Sequence, residues 1–389
     1  MNCLGVYIQV PFCQTKCTYC NFHTGVVSSA RFAPYVDTVC AEIAGHRRLY
    51  EAAGITLRAG LADAVVDTVY IGGGTPSLLD PGHLARIVAA VRGNFAHQLT
   101  EVTLEADPET VTEERAAAWV AAGINRVSFG VQSFCDAELQ AAGRMHRRAD
   151  VYRSAEILRG AGIANISFDL IAGLPKQTRD SWQQSLDSLL SLAPEHVSVY
   201  LLEVDEGSRL GAELLRGGNR YSAPDVPGDD EMAEFYETAC SVLGAAGYEH
   251  YEISNWGRPG FASRHNLKYW RREAYLGFGA GAHSFSGTER WANAHDAAEY
   301  VVALAGGRLP VEQVEKLTAE SALEEELFLG LRQLEGIDLG RIEREYGVSL
   351  EAQFARLRAA GLIEREGTLV RLAPGRISVS NEVFVELMK

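Results

Sequence analysis

Cys13, Cys17 and Cys20, in PFCQTKCTYC, stand four and three residues apart directly after the apolar run Leu4–Val10. The segment is too tight and too poor in structure formers for a helix face, so a single loop is expected to bring the three thiols together. Thiolates hold iron–sulfur clusters and zinc, and an all-protein cubane or a structural zinc takes four protein ligands. A cubane held by three leaves one iron open to a substrate or cofactor. Closed zinc would need a fourth ligand, with Cys3 and His23 nearest, and C-x3-C-x2-C is not a usual zinc-finger half. Inert structural thiols are the third reading. Cys3, Cys40, Cys135 and Cys240 are scattered and read as ordinary small thiols. Seven cysteines with three packed into eight residues suit a reducing compartment better than a disulfide framework.

Other chemistry-bearing residues follow along the chain. Gly72-Gly-Gly-Thr-Pro76 comes after a strand-like run and reads as a tight turn whose glycines tolerate positive φ. It lacks the Lys-Ser/Thr of a phosphate-binding loop, which speaks against a nucleoside triphosphate. Glu105, Gln132, Arg144 and Asp169 lie at or just after expected strand ends, where each alone reads as a cap or an ion pair. Arg264-His-Asn-Leu-Lys-Tyr-Trp270 is, on its own, a polar turn with two packing aromatics. Gly277-Phe-Gly-Ala-Gly-Ala282 fits G-x-G-x-x-A but lacks the flanking βαβ unit and acidic residue of a dinucleotide site. His146, His250 and His283 have no paired spacing and read as hydrogen-bonded or surface imidazoles.

The elements that must position these residues alternate. Strand-like runs at Leu4–Val10, Val66–Ile71, Glu101–Glu105, Arg126–Gly130, Ile166–Ile171 and His196–Leu202 are separated by helical stretches at Pro34–Ala53, Pro81–Arg92, Glu113–Ala122, Asp150–Ala161 and Arg179–Leu192. Such alternation predicts a parallel sheet, either open and doubly wound or a partial barrel. The candidate groups fall at the carboxyl ends of successive strands, where barrels place their sites, and this favours a barrel with one shared site at its top. Arg216–Asp230, rich in Gly, Pro and charge, and a change near Gly306–Pro310 divide the chain into 1–215, 216–310 and 311–389. In the last part Leu317–Leu334, Leu339–Tyr346 and Leu350–Gly361 read as helices, followed by a small β-wing formed from Thr368–Leu372, a turn at Ala373–Gly375 and Ile377–Val379. The expected architecture is therefore α/β: a partial barrel, an accessory α/β region and a small winged-helix-like domain.

Composition narrows the partners. With 36 basic and 51 acidic residues the net charge is −15, which argues against nucleic acid as a partner. The winged part, residues 317–389, carries 9 basic and 13 acidic side chains, unlike a duplex-binding face. No run of 18 apolar residues occurs, and Met1-Asn-Cys lacks the basic start and long apolar segment of a signal peptide, so a cytoplasmic location is expected.

The C-x3-C-x2-C motif, with Tyr19 before its last cysteine, resembles the signature of the radical S-adenosylmethionine (SAM) superfamily. The resemblance implies a partial (β/α)6 barrel and a [4Fe-4S] cluster on Cys13, Cys17 and Cys20, whose open iron takes the amine and carboxylate of SAM. Electron transfer would then cleave the sulfonium to a deoxyadenosyl radical. The glycine stretch is similar to the segment that meets the methionine amine. LEADPE, FGVQSF, AAGRMH and FDLIAGLP resemble, in order, segments of the oxygen-independent coproporphyrinogen III dehydrogenase group, and the likeness spans nearly the whole chain. It implies SAM contacts at Tyr7, Tyr19, Gly73, Gly74, Thr75, Glu105, Gln132, Arg144 and Asp169. The set supplies an anion for the amine, a cation for the carboxylate and polar groups for the ribose hydroxyls.

That group holds decarboxylases of heme biosynthesis and heme chaperones. The decarboxylases carry C-x3-C-x2-C-x-C and a longer leading segment, whereas here Phe22 stands at the fourth cysteine position and twelve residues precede Cys13. H-N-x-x-Y-W resembles the motif associated with heme binding in the chaperones. This implies His265 as iron ligand, Asn266, Tyr269 and Trp270 shaping the pocket, and Arg264 and Lys268 facing the propionates. The expected function is a heme chaperone delivering to acceptor hemoproteins, including those of the respiratory membrane, with transient contact at the membrane surface and a homodimer as one assembly. The alternative is the oxidative decarboxylation of coproporphyrinogen III.

Overall fold

Six strands whose outward residues are aliphatic alternate with amphipathic helices in the computed structural model, which describes residues 3–57, 60–61 and 63–387. In chain order these are β1 (Cys3–Val10), α1 (Phe32–Ala52), β2 (Val65–Gly73), α2 (Pro81–Asn94), β3 (His97–Ala106), α3 (Glu113–Ala122), β4 (Arg126–Gln132), α4 (Arg148–Ala161), β5 (Asn165–Ala172), α5 (Arg179–Leu192) and β6 (His196–Leu201). Local chemistry sets their ends. Thr112 caps α3 by accepting from the Arg115 amide, and Gly123 closes it at φ 94°. Thr178 caps α5 against the Ser181 amide.

The six strands are parallel and neighbour one another in chain order, the arrangement of a barrel and not of a doubly wound sheet. The accessory region extends the sheet at both edges. After α6 (Asp229–Ala245) come β7 (Glu249–Glu252), β8 (Asn255–Gly257), α7 (Arg264–Trp270), β9 (Tyr275–Phe278), β10 (His283–Phe285), β11 (Glu289–Asn293) and β12 (Val311–Lys316). The full order is β12-β11-β10-β9-β1-β2-β3-β4-β5-β6-β8-β7. Thus β9, from the stretch that reads as a glycine-rich loop, is a seventh parallel strand beside β1.

The sheet has two unlike faces. Leu4, Val6, Ile8 and Val10 of β1 join the core beneath the helices, as do Val66, Val69 and Ile71 of β2. Alternate positions turn the other way and are polar: Tyr7 lies beside Tyr70, Thr68 beside Glu101, Glu105 beside Ser128, and Asp169 beside Ser198. The concave side is therefore a lined, titratable interior.

The C-terminal part has a core of its own, including Leu327, Leu331, Ile342, Phe354, Leu357 and Val370. It holds α8 (Ala319–Arg332), β13 (Ile337–Asp338), α9 (Leu339–Tyr346), α10 (Glu351–Ala359), β14 (Ile363–Glu366), β15 (Leu369–Leu372) and α11 (Ser380–Leu387). The wing differs from the sequence reading. It is the hairpin of β14 and β15 turning at Gly367, φ 63°, while Ile377–Val379 is a 3-10 turn leading into α11. Val383, Phe384 and Leu387 supply the apolar stripe that makes this last segment helical. Among the described residues no helix is long and apolar enough to cross a membrane.

Candidate functional site

At the carboxyl end of β1 the cysteine loop is tied down by the glycine stretch after β2. The Gly74 amide donates to the Val10 carbonyl at 2.8 Å and the Thr75 amide to the Phe12 carbonyl at 2.6 Å. A Cβ on Gly74 would stand 2.4 Å from the Phe12 oxygen and 2.9 Å from Cys13 Sγ, so only glycine leaves the thiol its space. The Thr18 amide donates to the Ala142 carbonyl at 3.0 Å, and Tyr19 packs into a small apolar cluster with Leu174, Leu202 and Leu210. Arg144 Nη1 donates to Cys17 Sγ at 3.4 Å and Nη2 to the Gly130 carbonyl at 2.7 Å. Its guanidinium also pairs with Asp107, which accepts from Thr75 Oγ1 at 3.1 Å. Burial raises the Cys13 and Cys20 thiols, and neighbouring sulfurs add to this, Cys20 on Cys13 and Cys17 on Cys20. The thiols share one loop, yet among the described residues no three His, Cys, Asp or Glu side chains are drawn close enough to hold a metal ion.

Beside the loop, Glu105 is half-buried and accepts from the Gly73 amide and the Tyr70 hydroxyl, both at 2.9 Å. Burial pushes its carboxyl up to about 7, with Asp169 and Asp107 adding repulsion against the pull of those two donors. A half-buried carboxylate met, among the described residues, only by neutral donors is a place for an ammonium. Gly73, at φ 117°, leaves the backbone open here, since a Cβ would sit 2.7 Å from Gln9 Nε2. Tyr7 donates to Gln9 Oε1 at 2.6 Å. Gln132, a non-glycine at φ 65°, ends β4 with its side chain beside Gly130 and Arg144. Asp169, its carboxyl also raised by burial, accepts from Ser128 at 3.2 Å and Ser167 at 3.4 Å.

These features pass a test of fit for the groups that the cysteine motif implies. Three thiols on an anchored loop beside a buried guanidinium suit an iron–sulfur cluster. The glycine-cleared shelf next to Glu105 suits the amino-acid end of SAM.

The H-N-x-x-Y-W residues lie elsewhere. They form α7, which seats at the amino ends of β1–β3. Glu101 accepts from the His265 and Arg264 amides, both at 3.0 Å, and so caps the helix. His265 is 1% exposed, its Nδ1 bonded to Thr68 Oγ1 at 2.9 Å and its Nε2 to the Tyr269 hydroxyl at 2.8 Å. Burial, with Lys268 and Arg126 nearby, drives its pKa down to about 3. Lys268 pairs with Asp67 at 2.9 Å and Glu273 at 3.2 Å. Arg332 of α8 stacks 4.4 Å over the Trp270 ring, and Gln333 donates to the Trp270 carbonyl at 3.3 Å. The Tyr70 and Tyr7 rings, 5.3 and 6.5 Å from the imidazole, lie between this floor and the glycine shelf.

Sequence reading missed Gln9, Tyr70, Glu101, Asp107 and Arg126. The signal was present in the alternation of β3, where Glu101, Thr103 and Glu105 repeat at every second position against buried Val102 and Leu104.

Two family models match the chain: the Radical SAM superfamily over residues 7–189 and the HemN C-terminal domain over residues 317–374. Among solved structures, coproporphyrinogen III oxidase (HemN) from Escherichia coli superposes with a TM-score of 0.84, at 21% identity, covering 99% of this chain and 90% of that one. Its likeness concerns the fold. The protein called heme chaperone HemW of Bacillus subtilis is 35% identical over 386 residues, 98% of either chain. That of Mycobacterium tuberculosis is 37% identical over 377 residues, 96% of this chain and 92% of its own. With likeness of this extent running through the cysteine loop, the glycine shelf and α7 alike, the chain belongs to the radical SAM superfamily and, within it, to the HemW family.

Proposed function

We propose that the protein is a heme chaperone, binding heme and passing it to acceptor hemoproteins from a radical SAM scaffold. The observation that carries this reading is near-full-length kinship with proteins named heme chaperone HemW, 35% identity across 98% of both chains in one case. Phe22, at the place of a fourth cysteine in the decarboxylase motif, weighs on the same side.

In this reading Cys13, Cys17 and Cys20 hold a [4Fe-4S] cluster and Tyr19 wedges their loop in place. The cluster, when bound with SAM on its open iron, supplies one-electron chemistry. Glu105 takes the SAM ammonium and the Gly73, Gly74 and Thr75 backbone lines its path. Arg144 holds its charge beside Cys17 and the carboxylate end, while Tyr7, Gln132 and Asp169 offer groups to the ribose side. His265, Asn266, Tyr269 and Trp270 enter as heme-responsive residues. His265 can ligate iron once one of its bonds, that of Nδ1 to Thr68 or that of Nε2 to Tyr269, is exchanged for it. The division at 1–215, 216–310 and 311–389, acceptors on the respiratory membrane reached from the aqueous side, and a homodimeric state complete the proposal.

The test is anaerobic loading with iron and sulfide, then hemin, then incubation with an apo-hemoprotein, with coproporphyrinogen III assayed on the same sample. Heme uptake followed by transfer, without release of carbon dioxide, is the expected result. Decarboxylation without heme uptake would replace this reading with the biosynthetic enzyme.

A further inference from the structure

In the seated state His265 is closed to iron, whereas a different imidazole stands open beside the cluster loop. His23, three residues after Cys20, is exposed and makes no hydrogen bond to the protein among the described residues. Its ring packs against that of His295, with centroids 4.2 Å apart and the planes tilted by 33°. His295 is fixed from behind. Its amide donates to Glu312 Oε1 at 3.1 Å, its Nε2 lies 3.7 Å from Glu312 Oε2, and its buried Nδ1, which has no partner, lies against Gly281. On either side of His23 stand Phe22 and Val26, 65% and 59% exposed, among the most exposed large apolar side chains described. The loop is preformed: Phe12 and Cys13 pair with Gly25 and Val26, the Gly25 amide donates to the Pro11 carbonyl at 2.9 Å, and the Thr24 amide to the Phe22 carbonyl at 2.8 Å.

The chemistry of this patch selects its ligand. A bare transition-metal ion asks for three or four protein ligands, whereas this patch offers one open imidazole with a second ring packed against it. Iron in a porphyrin brings four nitrogens of its own and asks the protein for one imidazole and an apolar face. We propose that His23 is an axial iron ligand of a heme-docking face on the cluster loop, with Phe22 and Val26 against the macrocycle and His295 positioning the imidazole. The inference rests on the chaperone reading and locates its cargo at the open rim of the barrel, on the same loop as the cluster cysteines. The exposure of Phe22, His23 and Val26 suits a site that must release heme as well as take it.

The test titrates cluster-loaded protein with hemin and follows visible absorption and electron paramagnetic resonance. His23→Ala is expected to weaken hemin binding about tenfold or more, the 1.4 kcal/mol of a single good contact, and to remove the imidazole-ligated signature. His97→Ala, an exposed imidazole at the start of β3, leaves both unchanged. His23→Gly with free imidazole added restores the signature if the side chain acts as ligand. Iron content measured on each variant separates a lost heme ligand from a lost cluster. Imidazole-ligated hemin bound equally well by wild type and His23→Ala overturns this inference and leaves the chaperone reading standing; wild type that takes up no hemin overturns both.

Discussion

At the carboxyl end of the barrel Glu105 meets two neutral donors and, among the described residues, no cation, whereas at the amino end Glu101 caps α7, Lys268 has two carboxylates, and both His265 nitrogens are bonded. The same strands thus carry an end with a carboxylate left wanting charge and an end whose charges and histidine nitrogens are paired, Trp270 Nε1 being a buried donor there without a partner among the described residues. Polar groups buried and satisfied by the protein hold a structure together. Groups buried and left wanting charge are where a ligand gains most. The difference teaches that the two sequence motifs, alike in looking functional, have unlike roles in the seated state: the cysteine loop faces a site, and the H-N-x-x-Y-W helix is a keystone between barrel and C-terminal domain.

The two ends also answer pH with opposite sign. Glu105 is raised from 4.5 to about 7, so between those values the folded protein keeps a proton that the unfolded chain has lost. Its contribution to ligand-free stability therefore falls as pH rises through that window. His265 is lowered from 6.5 to about 3, so over that range the unfolded chain holds the extra proton. Its contribution is fully present above 6.5 and is lost as pH falls below it.

The contrast can be sharpened by substitution. Cys13→Ala, Cys17→Ala or Cys20→Ala each abolishes cluster loading, read by iron and sulfide content, while Cys240→Ala, on α6, does not. Retained cluster in any of the three would break the distinction at its open end. His265→Ala, which leaves a cavity and strands Thr68 and Tyr269, lowers unfolding stability by about 2–4 kcal/mol and flattens the loss below pH 6.5. A variant as stable as wild type would mean that the floor is not a keystone. Glu105→Gln removes a charge-assisted contact of about 1.5–3 kcal/mol, weakening SAM binding by calorimetry about ten- to a hundredfold. Wild-type SAM affinity climbs as pH rises through about 7, and the variant shows no such climb. Arg332→Lys, which keeps a cation for buried Glu252 but loses the planar stack on Trp270, costs about 1 kcal/mol in denaturant unfolding without altering cluster content.

How much was legible depended on how local each signal was. The six strands and five helices of the barrel could be read because each carries its own period and its own stop residues, as α3 does between Thr112 and Gly123. Strand β9 escaped because Tyr275-Leu-Gly-Phe278 is too short for a period and sits in a glycine-rich stretch. The wing was misplaced by one element because Ile377-Ser-Val379 is β-branched and apolar yet is held as a turn by α11. Of the site, the strand-end residues were visible and Glu101 left its trace in the alternation of β3, whereas Tyr70 and Gln9 were hidden inside strands that looked merely apolar.

By itself the chain determined the cysteine loop, the glycine shelf that must follow β2, and the alternation of strands and helices, since each rests on residues within a few positions of one another. Only the tertiary structure decided that His265 would be shut between Thr68 and Tyr269, under a carboxylate 164 positions away, and that His23 would pack against His295. Burial, shifted proton affinity and satisfied hydrogen bonds arise from groups far apart in sequence and near in space, and no local pattern encodes them.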